Sequence, residues 1–184
     1  FSTGASDVFV FNNNLHSNTR NGLLIDRVTS PVVVAFNSIH ANYKDGIGVY
    51  ESSGSQIYGN KIYKNQINGI RVRSSTATQL LHNIALSNRG AAVYIQQRVG
   101  ADGTPRFPLT SSTVFGGLMV ENRGGAIFAS GFEDLVLGNL RVENNGSRPY
   151  RGELESVTAD IILNTWKDNT AALVSLSEQE QGSQ

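Results

Sequence analysis

Arg71 and Arg73 stand two residues apart in the run Gly69-Ile-Arg-Val-Arg73. Alternation along that run turns Ile70 and Val72 to one side of an extended strand and both guanidiniums to the other. A guanidinium holds a carboxylate through two parallel N–H donors. Similar runs supply neighbours: Gly22-Leu-Leu-Ile-Asp26 presents Leu24 and Asp26, Gly46-Ile-Gly-Val-Tyr50 presents Gly48 and Tyr50, and Ala92-Val-Tyr-Ile-Gln96 presents Tyr94 and Gln96. Arg27, Glu51, Ser74 and Gln97 follow directly. A tyrosine offers a flat apolar face with a hydroxyl, and Asp or Gln bonds sugar hydroxyls. A face with Asp26, Arg27, Tyr50, Glu51, Arg71 and Arg73 among its outward residues is suited to a groove for an acidic polysaccharide. A solvated face laced with ion pairs, such as Glu51 with Arg27 or Arg73, accounts for the same residues. The sequence leaves both readings open.

Other chemistries find little support. His16 and His40 share a position in adjacent repeats and are expected to stack against Tyr63, which is a structural role. No carboxylate or third histidine recurs at ligand spacing, so no metal site is expected. Asp45-Gly-Ile-Gly is not a phosphate loop, because no helix follows it. There is no Gly-x-Ser-x-Gly elbow, and no cofactor is expected. Lys+Arg and Asp+Glu both number 15, for zero formal charge, so no nucleic-acid partner is expected. With no cysteine there is no disulfide or thiolate site. No apolar run approaches the roughly 18 residues of a membrane span, and no signal-peptide pattern is visible in these residues. The chain starts at Phe1 without an initiator Met, which suggests a processed protein or a piece of a longer one.

A repeat must position these side chains. Asn, four residues, Asn occurs as Asn13–Asn18, Asn37–Asn42, Asn60–Asn65, Asn83–Asn88, Asn139–Asn144 and Asn164–Asn169, with Gly117–Asn122 as a seventh copy. The alternating runs above follow the pairs. They point Leu23, Ile25, Ile47, Val49, Ile70, Val72, Val93 and Ile95 inward, and a second apolar column (Val10, Val34, Ile57, Leu80, Val114, Val136, Ile161) precedes the pairs. Short strands separated by turns form one coil of a solenoid. Stacking coils removes the apolar side chains from water at roughly 1.5–3 kcal/mol each, against the entropy of ordering the chain. The expectation is an all-β right-handed parallel β-helix of about seven coils, with 22–25 residues per coil. Asparagines tolerate left-handed turns and can bond from coil to coil. Leucine-rich and helical repeats lack the required rhythm here.

The β-helix is expected over residues 1–176. A Gly- and Pro-containing loop, 99–112, interrupts it between coils four and five. Trp166 is expected to plug the end of the rod, and 177–184 to form a polar tail.

The segments Asn21-Gly-Leu-Leu-Ile-Asp-Arg27, Val34-Ala-Phe-Asn-Ser-Ile-His-Ala-Asn-Tyr-Lys-Asp-Gly-Ile-Gly-Val-Tyr-Glu-Ser-Ser53, Tyr58-Gly-Asn60 and Gly69-Ile-Arg-Val-Arg73 resemble the C-terminal coils of periplasmic mannuronan C-5-epimerases. The resemblance is good from Phe1 to about Ile95 and looser through Phe107 to Asn144. It implies an isomerase acting on alginate or polymannuronate, a periplasmic or extracellular location, and a possible place in a polysaccharide-secretion complex. It also implies a mechanism. A cation neutralises the uronate carboxylate, a base removes the C5 proton, and a donor returns one from the opposite face. The family's base lies in an Asp-Pro-His-Asp tetrapeptide that does not occur here, and Thr3 stands where the family carries its carboxylate-neutralising arginine. No catalytic residue is carried over; the resemblance carries over only Asp26, Arg27, Tyr50, Glu51, Arg71 and Arg73, as groove residues for a uronate polymer, and the 184-residue chain alone is expected to be inactive. A non-catalytic polysaccharide-binding or secretion β-helix, and a β-helix lyase or hydrolase, remain alternatives.

Overall fold

A computed structural model describes residues 4–98, 103–104, 110–130, 133–146, 159–162 and 165–167. The chain winds into a parallel β-helix with three faces. The first face runs from Val8–Phe11 through Val32–Ala35, Gln56–Tyr58, Gln79–Leu81, Thr110–Phe115 and Glu133–Gly138 to Ala159–Ile162. The second begins at Asn14–His16 and ends at Thr165–Lys167, also with seven strands. The third holds Leu23–Asp26, Ile47–Tyr50, Ile70–Arg73, Val93–Gln96 and Ile127–Ser130. The described residues thus make five complete three-sided turns, not the seven coils counted from the sequence. Each asparagine pair marks the corners flanking the second face and carries no information about the third.

The inward columns are as expected, with Ile25, Ile47, Val49, Ile70, Val72 and Ile95 fully buried. One register is corrected. Val114 pairs with Leu137, not Val136, and Leu137 is fully buried. The slip continues along the same coil. Asn122 bonds Asn145, so Asn145 and not Asn144 continues the ladder. Because strand side chains alternate with period two, one residue of slip moves a side chain to the other face.

The asparagines form two ladders. In the longer, the Nδ2 of Asn18, Asn42, Asn65, Asn88 and Asn122 each donates to Oδ1 of the next member, ending at Asn145, at 2.8–3.0 Å. The backbone N–H of each donor bonds the same oxygen. The shorter ladder, Asn13–Asn37–Asn60–Asn83, works the same way and stops where Gly117 brings no side chain. The ladder residues are not the left-handed ones, contrary to the sequence expectation. The residue before each is: Phe36, Ala41, Lys64, His82 and Ser87 have φ of 51–55°. The corner needs αL, and the buried amide that follows anchors it.

Outside the rod, His16 stacks on His40 (5.0 Å) and His40 on Tyr63 (4.6 Å), as expected. Strand pairing resumes at Thr110, inside the stretch expected as loop. The rest of that loop apart from residues 103–104 and 110–112, the side chain of Trp166 and the tail 177–184 lie outside the described residues. No helix among the described residues is long and apolar enough to cross a membrane.

Candidate functional site

Parallel pairing on the third face fixes two outward columns. Leu24, Gly48, Arg71, Tyr94 and Phe128 form one, and Asp26, Tyr50, Arg73 and Gln96 the other. Arg27 and Glu51 occupy the next position, each in a left-handed corner (φ 55° and 49°). This fold uses αL at most of its corners, so the backbone there reflects the solenoid and not strain reserved for chemistry.

Gly48 shapes the centre of the site. Its missing side chain lets the Tyr50 ring lie back across the sheet. A Cβ on Gly48 would sit 3.0 Å from Tyr50 Cζ and 2.5 Å from Asn21 Nδ2. The Tyr50 hydroxyl thereby reaches Asp45 Oδ2 and donates to it at 3.0 Å, while Asn21 Nδ2 approaches the same hydroxyl at 3.4 Å. Asp45 is 1% exposed. Its other oxygen accepts from the Asn68 backbone N–H (3.1 Å) and side-chain amide (2.8 Å). Burial pushes the Tyr50 phenol above its ordinary pKa, and the charge of Asp45 adds to the shift. The phenol therefore stays protonated at neutral pH, a donor and not a base.

The two arginines are layered between tyrosines of the flanking coils. Arg73 lies over the Tyr50 ring at 4.2 Å, and Arg71 over the Tyr94 ring at 5.0 Å. Tyr94 in turn stacks on Phe128 at 4.5 Å. Cation–aromatic contacts of this kind contribute about 0.5–2 kcal/mol and hold the guanidinium planes in place. The Nε of each arginine is buried and has no acceptor. Strand geometry separates the two Cα atoms by about 6.6 Å. Coil three thus presents two oriented, preassembled cations, the arrangement that a carboxylate-bearing ligand requires.

Carboxylates on this face are engaged. Asp26 pairs with Arg27 at 3.0 Å. Glu51 faces Arg73 at 4.0 Å and Arg98 at 3.6 Å; of the two partners expected for it, the structure selects Arg73. Asp26 and Glu51 thus each face cations. No group of three or more potential metal ligands occurs among the described residues. The structure brings Tyr50, Glu51, Arg71 and Arg73 together around coil three and leaves Asp26 and Arg27 as a surface pair at the end of the same face.

Sequence reasoning missed Asp45, Asn68, Arg89, Arg98, Arg123 and Phe128. Asp45 has a readable signal, because it takes the place that Asn21 and Asn68 hold in adjacent coils. Arg89 and Arg123 each follow a ladder asparagine and so fall into one column. Nothing in the local pattern marks Arg98.

Residues 1–117 match the family model described as the right handed beta helix region. A mannuronan C5-epimerase of Pseudomonas putida is 40% identical over 89 residues, 48% of this chain and 17% of that protein. The mannuronan C5-epimerase AlgG of Azotobacter vinelandii is 33% identical over 86 residues, 47% of this chain and 16% of that protein. The chain matches only about a sixth of the length of these relatives. The crystal structure of the periplasmic alginate epimerase AlgG superposes with a TM-score of 0.62 at 23% identity, covering 90% of this chain and 35% of that one. The Agl-KA catalytic domain superposes at 0.52 with 15% identity, covering 89% and 39%. Those superpositions agree with the winding described above, and the matched model spans more than half the chain: this protein belongs to the right-handed β-helix family.

Proposed function

We propose that this chain is the polymer-gripping part of a mannuronan C5-epimerase-like protein, acting on a uronate polysaccharide such as alginate. The observation that carries the reading is the pair Arg71 and Arg73, each held against a tyrosine. The identity to the epimerases of P. putida and A. vinelandii supports it. In this reading the arginines neutralise uronate carboxylates, Tyr50 offers its ring edge to the sugar, and Glu51 holds Arg73 and Arg98 until a substrate carboxylate displaces it. The proton-transfer groups are not among these residues, since the Tyr50 phenol is protonated and the carboxylates of the face are engaged. A periplasmic setting and membership of a secretion assembly belong to the same reading.

The test is titration of the chain with polymannuronate, followed by proton NMR after incubation in deuterated water. Binding that disappears in Arg73→Ala, without exchange at C5, is the expected result. Absence of binding at low ionic strength refutes the reading. Deuterium at C5 would place a base within these residues and overturn the division between grip and chemistry. A second reading, a non-catalytic polysaccharide scaffold, is favoured by the engaged carboxylates. Turnover by a longer natural chain containing this segment would exclude it.

A further inference from the structure

Beside the arginine columns, the third face opens into a cleft of about 470 Å³. Arg71, Tyr94 and Phe128 line it from the strands, and Arg89 and Arg123 from the turns that follow the longer asparagine ladder. The solenoid forces those last two together. The Arg89 N–H donates to the Asn65 carbonyl at 3.0 Å and the Arg123 N–H to the Asn88 carbonyl at 2.9 Å. They therefore occupy the same place in successive coils, with backbones about 4.8 Å apart.

Two like charges directly opposite each other on adjacent rungs repel. Among the described residues, no carboxylate pairs with Arg71, Arg89 or Arg123. Arg71 adds a buried Nε without an acceptor. The floor differs in character. Tyr94 and Phe128, with Ala91, form an apolar cluster separate from the core of the rod. Three cations around an apolar floor match a ligand with an anionic group on a ring that has an apolar face. Arg71 is shared with the groove described above, which makes no use of Arg89 or Arg123.

We propose that the cleft is a second acidic-sugar subsite. It would take the carboxylate of another unit of the same polymer that engages Arg73, and in this it rests on the polyuronate reading. The polymer then crosses the third face obliquely, from the Tyr50–Arg73 layer of coils two and three to the Arg89–Arg123 column of coils four and five. A path straight down the rod would leave the cleft unused.

The experiment is calorimetric titration of the chain with oligomannuronates of increasing length, alongside Arg89→Gln/Arg123→Gln, Arg89→Lys/Arg123→Lys and Arg73→Ala. Both positions are exposed, and matching thermal unfolding midpoints verify that the double variants fold. Short oligomers should bind the wild type and the Gln variant equally. Beyond the length that reaches the cleft, wild-type affinity should rise and the Gln variant should lag by about 10-fold or more, the loss of charge-assisted hydrogen bonds. The Lys variant should recover only part of that increment, since Lys lacks the planar fork. Equal affinities at every length would overturn the subsite, and so would a uniform loss at every length, which marks a general charge effect. Binding of no oligomer by the wild type would bring down the polyuronate reading itself, whereas loss in Arg73→Ala alone would leave that reading and remove only the cleft.

Discussion

Replacing Gly48 by Ala tests whether a missing side chain organises the site. Gly48 is not in a left-handed conformation, so alanine is compatible with its backbone. The new Cβ would stand 2.5 Å from Asn21 Nδ2, 3.0 Å from Tyr50 Cζ and 3.1 Å from Leu24 Cδ1. The Asn21 amide and the Leu24 tip can swing aside, but the Tyr50 ring must lift. Lifting it breaks the hydroxyl bond to buried Asp45, a contribution of about 1.5–3 kcal/mol for a bond to a charged group. It also disturbs the Arg73 stack, about 0.5–1 kcal/mol. Alanine restricts the unfolded chain and returns about 0.4–1 kcal/mol. The net loss is about 1–3.5 kcal/mol, equivalent to a fall of roughly 2–14 °C in unfolding midpoint for a chain of this size. Circular dichroism measures the midpoint. Ultraviolet titration, with Tyr50→Phe as reference, follows the phenol, which should return toward its ordinary value of 10.0 once burial and Asp45 no longer act on it. An unchanged midpoint with a wild-type tyrosine titration would refute the account of Gly48.

Three further outcomes follow from the geometry. The raised Tyr50 pKa stabilises the fold fully below the ordinary value of 10.0, and that contribution drains away as pH climbs from there through the raised folded value; urea midpoints on either side of that pH should fall more for the wild type than for Tyr50→Phe. Asn65→Ala strips partners from the Asn42 N–H and amide and from the Ile39 carbonyl, costing about 3 kcal/mol or more at 1–3 kcal/mol per orphaned group, whereas Asn18→Ala at the ladder end should cost about 1 kcal/mol in the same urea assay. Glu51→Gln removes the carboxylate that competes for Arg73 and Arg98 and should tighten polymannuronate binding about fivefold, the counterpart of ~1 kcal/mol for a partly screened pair; weaker binding would show that Glu51 positions the arginines.

Much of this molecule is legible one coil at a time. The alternation in Ile70-Arg-Val-Arg73 fixes which side chains face the core, and the asparagine spacing fixes how coils stack, because both are local periodicities. The coil containing Leu137 and Asn145 was read one residue early because Asn139 and Asn144 keep the same spacing as a true pair. In the fold they occupy the left-handed corners instead, with φ of 49° and 50°. The binding face was legible as a set of outward residues, but not as an arrangement. That Tyr50 folds over Gly48 to reach Asp45 depends on space left in its own strand and on a carboxylate five residues away. The pairing of Glu51 with Arg98 depends on a residue two coils further on. The first relation lies within six residues but is a matter of side-chain direction; the second comes from stacking, and no short window of sequence contains it.

The long asparagine ladder also has a direction. Each side-chain amide donates toward the C-terminal end of the rod, from Asn18 to Asn145 without reversal. Its amide dipoles therefore add head to tail, and every bond polarises its neighbours. A coil in the middle draws strength from those on both sides, and a coil at either end from one. A coil with neighbours on both sides should therefore open less readily than one bonded on a single side. The arginine-bearing coil three has two complete turns on either side of it among the described residues, so it draws on both.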